Sequence, residues 1–382
     1  DNILDKSLTA WEKLYGAEPS ERSFSLRFAG IIERACKQAG QRVVILVDEY
    51  DKPMLQAVGN EELQRQFRNA LKPFYGALKT MDGCIKFAFL TGVTKFGKVS
   101  VFSDLNNLDD ISMRKDYVEL CGVSDRELHD TLDAELHEFA DVRGVTYDKL
   151  CAELKECYDG YHFTHNSIGM YNPFSLLNAF KYKEFGSYWF ETGTPTYLVS
   201  LLKKHHYDLE RMAHEETDAQ VLNSIDSEST NPIPVIYQSG YLTIKGYDEE
   251  FGIYRLGFPN REVEEGFVRF MLPYYANVNK VESPFEIQKF VREVRSGDYD
   301  SFFRRLQSFF ADTTYEVIRD QELHYENVLF IVFKLVGFYT KVEYHTSEGR
   351  IDLVLQTDKF IYIMEFKLNG SAEEALRQIK DK

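Results

Sequence analysis

Arg350-Ile351-Asp352-Leu353-Val354-Leu355-Gln356, followed after Thr357-Asp358-Lys359 by Phe360-Ile361-Tyr362-Ile363-Met364-Glu365-Phe366-Lys367, decides the fold of the C-terminal region. Both halves are rich in β-branched and aromatic residues and the segment between them is polar, which predicts two antiparallel strands joined by a short loop. With Asp358-Lys359 as the loop, or any even-length loop sharing that centre, Thr357 pairs with Phe360 and Asp352 falls opposite Glu365. The two side chains then share one face with Cβ atoms roughly 5 Å apart, and the period of two adds Lys367 and Arg350 to it.

Like charges set directly opposite one another destabilise a sheet. A divalent cation reverses the sign. Two carboxylates plus waters suit Mg²⁺, which keeps several waters and needs few protein ligands. Lys367 is then positioned to orient or activate a water while the metal neutralises charge on a phosphoryl group. An exposed face on which acidic and basic residues solvate one another produces the same string, so both readings stand on spacing alone.

Ile351-Asp352, Glu365-Phe366-Lys367 and the following helix with Gln378 resemble the PD-(D/E)XK nuclease superfamily. The resemblance implies metal ligands at Asp352 and Glu365 and a catalytic Lys367. It also implies a further acidic residue on the preceding helix, Glu322 or Glu326, and a polar residue at Gln378. Ile351 stands where the family often has Pro. A further strand normally follows that helix, so the resemblance implies a clipped core.

The chain has 382 residues, a formal net charge of −16, 44% hydrophobic and 14% aromatic residues. That length predicts two or three domains. No apolar run approaches the ~20 residues of a membrane helix, and no secretory leader is recognisable. Five cysteines without a C-x-x-C read as reduced, mostly buried thiols of a cytoplasmic protein. The acidic balance opposes non-specific attraction to nucleic acid but leaves room for a local basic groove.

The second chemical signal is Val43-Val44-Ile45-Leu46-Val47-Asp48-Glu49-Tyr50-Asp51-Lys52-Pro53. Five consecutive apolar residues predict a strand buried on both faces of a parallel sheet, with the acidic pair at its C-terminal, ligand-binding end. This has the form of a Walker B motif, in which Asp48 holds Mg²⁺ through water and Glu49 polarises the water that attacks ATP. Thr91, ending Lys86-Phe-Ala-Phe-Leu-Thr-Gly, sits where such ATPases place a polar sensor. No P-loop precedes the strand. The best match, Gly92-Val-Thr-Lys-Phe-Gly97-Lys98-Val99, comes after it and has Val where a Mg²⁺-binding hydroxyl belongs, so it reads as a turn.

Together with Phe89-Leu-Thr-Gly-Val-Thr-Lys-Phe, Tyr158-Asp-Gly-Tyr-His-Phe and Tyr171-Asn-Pro-Phe-Ser-Leu-Leu, these motifs resemble bacterial AAA-ATPase-like proteins fused to a PD-(D/E)XK nuclease domain. The resemblance implies a Walker A strand and loop in a segment before Asp1, and hence a chain truncated at both ends that does not bind ATP tightly.

Local signals outline the rest. Helices are expected over Ile3 to Tyr15 and Phe24 to Ala39, the latter closed by Gly40. Asn172-Pro173 opens a helix over Phe174 to Phe180, and Asn260 caps one over Arg261 to Tyr275. Tyr241 to Tyr247 and Gly252 to Gly257 form a hairpin around Asp248-Glu249-Glu250, which beside helices suggests a winged-helix module. Glu286 to Arg295 forms a helix ended by Ser296-Gly297-Asp298, within the expected linker zone of residues 280–300.

The expected fold class is α/β. An incomplete P-loop ATPase-like parallel sheet spans 1–120, a helical lid with the winged-helix-like module 121–280, and a restriction-endonuclease-like PD-(D/E)XK core 281–382. The resemblance points to a Mg²⁺-dependent nuclease acting on nucleic acid, DNA being the expected substrate, regulated by an ATPase-like domain. An oligomer is compatible with this. The alternative is a non-catalytic, nucleotide-responsive switch or interaction protein with a retained nuclease fold. The candidate catalytic residues are Asp352, Glu365, Lys367 and Glu49. Asp48, Glu49 and Thr91 are assigned to nucleotide, and Asp352, Glu365, Glu322 and Asp48 to metal.

Overall fold

The computed structural model describes residues 2–57, 60–95, 101–102, 105–191, 196–223, 231–276, 278–279, 282–310, 321–347, 350–367 and 371–381. It is a mixed α/β structure with several small sheets and many helices, and divides into two compact units, residues 1–112 with 218–240, and residues 113–217 with 241–382.

In the first unit, helices α1 (Asn2–Tyr15) and α2 (Phe24–Ala39) lead into strand β1 (Val43–Val47). Helices α3 (Lys52–Gln56) and α4 (Glu61–Thr80) then lead to strand β2 (Ile85–Leu90), which pairs with β1 in parallel. The helix starts follow their caps: Ser23 Oγ accepts from the Leu26 amide at 3.2 Å and Asn60 Oδ1 from the Leu63 amide at 3.0 Å. The apolar stripes of α2 and α4 meet through Phe28 and Phe74, stacked at 4.5 Å, in a core with Leu8, Ile31, Ile32, Met54 and Leu78. Arg27 ties α1 to α2, donating from Nε to Glu12 and from Nη1 to Asp5, each at 2.6 Å.

Val43, Ile45 and Val47 pack on this core, but β1 is not buried on both faces as its apolar run predicts. Val44 is 55% and Leu46 72% exposed, with Phe87 of β2 at 54%. Helices cover one face of the β1–β2 pair, so the apolar run alternates in burial like a one-sided strand. The cysteines also depart from expectation. All five are free, but Cys121 is exposed and the other four are only partly buried.

The second unit begins with strand β3 (Val123–Ser124) and helices α5 (Asp125–Thr131), α6 (Asp133–Arg143) and α7 (Tyr147–Tyr158). Strand β4 (Met170–Tyr171), which pairs with β3, and helix α8 (Pro173–Tyr182) follow. Leu136, Phe139, Leu154, Tyr158, Tyr171 and Leu176 form one core here. Asn172 caps α8 by accepting from the Phe174 and Ser175 amides at 3.0 and 3.2 Å.

Strands β5 (Glu216–Asp218), β6 (Thr243–Asp248) and β7 (Ile253–Gly257) form a sheet in the order β5-β7-β6. The acidic turn between β6 and β7 is organised by Asp248, whose Oδ1 accepts from the Glu250 and Phe251 amides at 2.9 and 3.1 Å. Helix α9 (Arg261–Tyr275) starts at Asn260, which accepts from the Val263 amide at 3.1 Å. Glu262 in its first turn is buried and accepts from the Trp189 amide at 2.8 Å.

Helices α10 (Ser283–Ser296) and α11 (Tyr299–Phe310) pack through Phe290, Phe302 and Phe309. Arg305 joins them from the surface side, bonding Glu286 and Glu293. Helix α12 (Gln321–Gly337) is buried along most of its C-terminal half, where Val328, Ile331, Val332, Leu335 and Val336 are inaccessible to solvent. It contacts both α9 and strand β8 (Lys341–Ser347). Strands β9 (Arg350–Gln356) and β10 (Ile361–Lys367) complete an antiparallel sheet in the order β10-β9-β8, and helix α13 (Ala372–Asp381) runs against β10.

Candidate functional site

The β9–β10 turn closes through the Thr357 amide, which donates to Phe360 O at 2.8 Å, while Thr357 Oγ1 accepts from the Phe360 amide at 2.9 Å. That closure fixes the register: Asp352 pairs with Glu365 and Arg350 with Lys367. Alternation along the strands decides which face this is. Leu353, Leu355 and Met364 point into the core, and Phe366 meets Phe333 of α12 at 6.0 Å. Positions 352 and 365 belong to the opposite face, with Ile361 and Ile363 at 65% and 58% exposure beside them. Glu365 is half-buried, its Oε1 shielded from solvent. The side chains of Asp352, Lys367, Glu322 and Gln378 lie outside the described part of the structure.

Strand β8 adds a position that sequence reasoning missed, since His345 pairs with Asp352 on the other side of β9. The signal was present in the alternation of Lys341-Val342-Glu343-Tyr344-His345-Thr346. Three successive strands thus bring His345, Asp352 and Glu365 into one row.

At the other candidate site, the parallel pair ends where the acidic residues begin. The Thr91 amide donates to Val47 O at 2.8 Å and the Tyr50 amide to Thr91 O at 2.9 Å, extending the pairing past both strands. Thr91 Oγ1 donates to Asp48 Oδ1 at 2.6 Å. Asp48, Glu49 and Thr91 therefore converge at the C-terminal edge of the sheet. Glu49 lies in the left-handed region at φ +54°, exposed, and accepts from Lys52 Nζ at 2.5 Å. That bond pushes the Lys52 ammonium above its ordinary value.

Asp51 is the residue of this motif whose role the sequence did not show. It stands at the N-cap position of α3 but makes no side-chain cap bond to that helix. It is fully buried and reaches across to the segment after β2. Oδ1 accepts from the Val93 amide at 3.1 Å, and Oδ2 accepts from the Thr94 amide at 2.6 Å and its hydroxyl at 2.8 Å. Tyr50 donates its hydroxyl to Thr94 O at 3.1 Å, and burial pushes that phenol well above its ordinary value. The approach is so close that a Cβ on Gly92 would stand 2.7 Å from Asp51 Oδ1. The segment holding Thr91 is thus fixed by the motif that supplies Asp48. The Gly97-Lys98-Val99 part of the nearest P-loop-like string lies outside the described residues.

Among the described residues, no cluster of three or more His, Cys, Asp or Glu is arranged for a metal, and no helix is long and apolar enough to cross a membrane. Residues 1–102 match the family described as predicted AAA-ATPase, and residues 320–382 match the PD-(D/E)XK nuclease superfamily. A protein of Azotobacter chroococcum mcd 1, described as an uncharacterized protein in the vnfD 5'region, is 33% identical over 389 residues, covering 98% of this chain and 72% of that protein. No solved structure matches the chain.

Proposed function

The chain belongs to the family of predicted AAA-ATPases that carry a C-terminal PD-(D/E)XK nuclease-superfamily domain, and on that premise we propose that it is a Mg²⁺-dependent nuclease governed by its ATPase-like part. The observation that carries this reading is the pairing of Asp352 with Glu365, two acidic residues directly opposed on one sheet face. Opposed carboxylates repel, and a hard cation with oxygen ligands turns that repulsion into binding. Asp352 and Glu365 would hold Mg²⁺, with Glu322 or Glu326 of α12 as a further ligand. The bound metal would supply charge neutralisation at a phosphodiester. Lys367, two residues beyond Glu365 and so on the same face, would orient the attacking water.

In the N-terminal unit, Asp48 and Thr91 would contact the metal and phosphates of ATP, and bound ATP would supply the driving force for a conformational change. Glu49 would act as the base toward water, and its bond to Lys52 would have to open first. The substrate in this reading is nucleic acid, DNA foremost, and the three-part division at residues 120 and 280 would separate ATPase core, lid and nuclease.

The test is cleavage of plasmid and single-stranded oligonucleotides by the natural full-length protein, with Mg²⁺ or with chelator, and with or without ATP. Mg²⁺-dependent cleavage lost in Asp352→Ala and Glu365→Ala supports the reading. Cleavage that survives both substitutions, or no cleavage under any condition, overturns it in favour of a switch or interaction protein.

A further inference from the structure

Two aromatic motifs take no part in either candidate site, and the fold locks them to one another. Tyr161 and Met170 exchange backbone bonds at 3.2 and 3.0 Å, and the Asn172 amide donates to Tyr158 O at 2.9 Å. Gly160 makes this possible: its φ is +103°, and a Cβ there would stand 2.3 Å from Pro259 O. The residue this arrangement positions is Asp159, at the C-terminal end of α7, whose amide donates to Lys155 O at 3.2 Å.

Asp159 is 7% exposed and lines a cavity of about 300 Å³ together with Glu119, Asp125, Arg126, Lys155 and Gly169. Its Oδ1 has no hydrogen-bond partner among the described residues. Gly169 leaves room for that oxygen, since a Cβ there would be 2.9 Å away. The remaining charges of the cavity answer each other. Arg126 pairs with Glu119 at 3.2 Å, and Lys155 lies 3.9 Å from Asp125, which also accepts from the Tyr171 hydroxyl at 3.1 Å. Within the lining, three acids against two bases leave one negative charge, and Asp159 Oδ1 is its buried oxygen without a partner, although the Gly160 amide bonds the same carboxylate and the Lys245 ammonium, outside the lining, interacts with it. Burial pushes the Asp159 carboxyl above its ordinary value, while the hydrogen bond from the Gly160 amide and, less strongly, nearby Lys155 oppose the shift.

A buried carboxylate oxygen lacking a donor is costly, and a single cation with N–H groups removes the cost. An anion is repelled, and no metal-ligating cluster stands among the described residues. We propose that this cavity binds a small organic cation, a guanidinium or alkylammonium group, through Asp159 Oδ1. The group belongs either to a free small molecule or to an Arg or Lys side chain of a peptide.

Calorimetric titration of the 382-residue chain tests this with methylguanidinium, the neutral isostere N-methylurea, and the peptide acetyl-Gly-Arg-Gly-amide. Methylguanidinium or the peptide should bind saturably at one site, and N-methylurea at least tenfold more weakly. Tighter binding of the peptide identifies a side chain as the occupant; tighter binding of methylguanidinium identifies a free cation. Asp159→Asn, checked for folding by circular dichroism, should weaken binding at least tenfold. Equal binding of cation and isostere, binding undiminished in the folded variant, or no saturable binding of either cationic probe overturns the proposal. The cation-against-isostere comparison uses the unsubstituted chain, so it holds even if the variant does not fold.

Discussion

Asp51 and Thr94, 43 residues apart in sequence, are bonded twice: the Thr94 amide and hydroxyl both donate to Asp51 Oδ2. With the Val93 bond to Oδ1, one buried carboxylate organises the segment that follows β2 and thereby holds Thr91 beside Asp48.

Asp51→Ala strands two buried donors and one partly buried one, and unsatisfied buried groups cost on the order of 1–3 kcal/mol each before relaxation. The expected loss is roughly 3 kcal/mol of stability, read as a lower midpoint in urea. Gly92→Ala should also destabilise, because its Cβ would meet Asp51 Oδ1 at 2.7 Å. An unchanged midpoint in both variants would show that the clamp is dispensable.

Glu49 adopts φ +54° without being glycine. A side chain in that region costs about 1 kcal/mol, so Glu49→Gly should raise the denaturation midpoint slightly. In the natural full-length protein the same change should abolish ATP hydrolysis. Lower stability in Glu49→Gly would mean that the Lys52 bond outweighs the backbone strain.

Asp352→Ala and Glu365→Ala should each remove cleavage while leaving stability equal or slightly higher, since either relieves repulsion between opposed carboxylates. Lys367→Ala should lower turnover more than it changes the Mg²⁺ concentration needed for half activity. Loss of the fold in the first two variants, seen by circular dichroism, would make the pair structural.

Acid should loosen the α10–α11 pair. Burial alone would push the Glu286 carboxyl up, but hydrogen bonds from Lys289 and Arg305 more than offset it, and it titrates below its ordinary value. A carboxyl depressed in the folded state contributes stability above its unfolded pKa of about 4.3, and the contribution is lost as pH falls through the folded value. The midpoint in urea should therefore drop between pH 5 and pH 3, and drop less in Glu286→Gln. Parallel pH profiles for the two proteins would remove Glu286 from the account.

The sequence by itself determined what depends on near neighbours. Thr357-Asp358-Lys359 is short enough to fix the register of β9 against β10, and Asn60, Asn172 and Asn260 each start a helix through their own side chains. Only the tertiary structure decided what depends on distant partners. The exposure of Val44 and Leu46 reflects which layers cover β1 rather than its own apolar run. The pairing of His345 with Asp352 required a third strand to dock. Asp51 became a clamp because packing delivered the Thr94 donors to it from a distant segment of the chain. Asp159 acquired its buried, donor-free oxygen when two motifs closed on each other through Gly160. Periodicity and capping act within a few residues, whereas the partner of a buried polar atom is set by segments that meet only when the core forms.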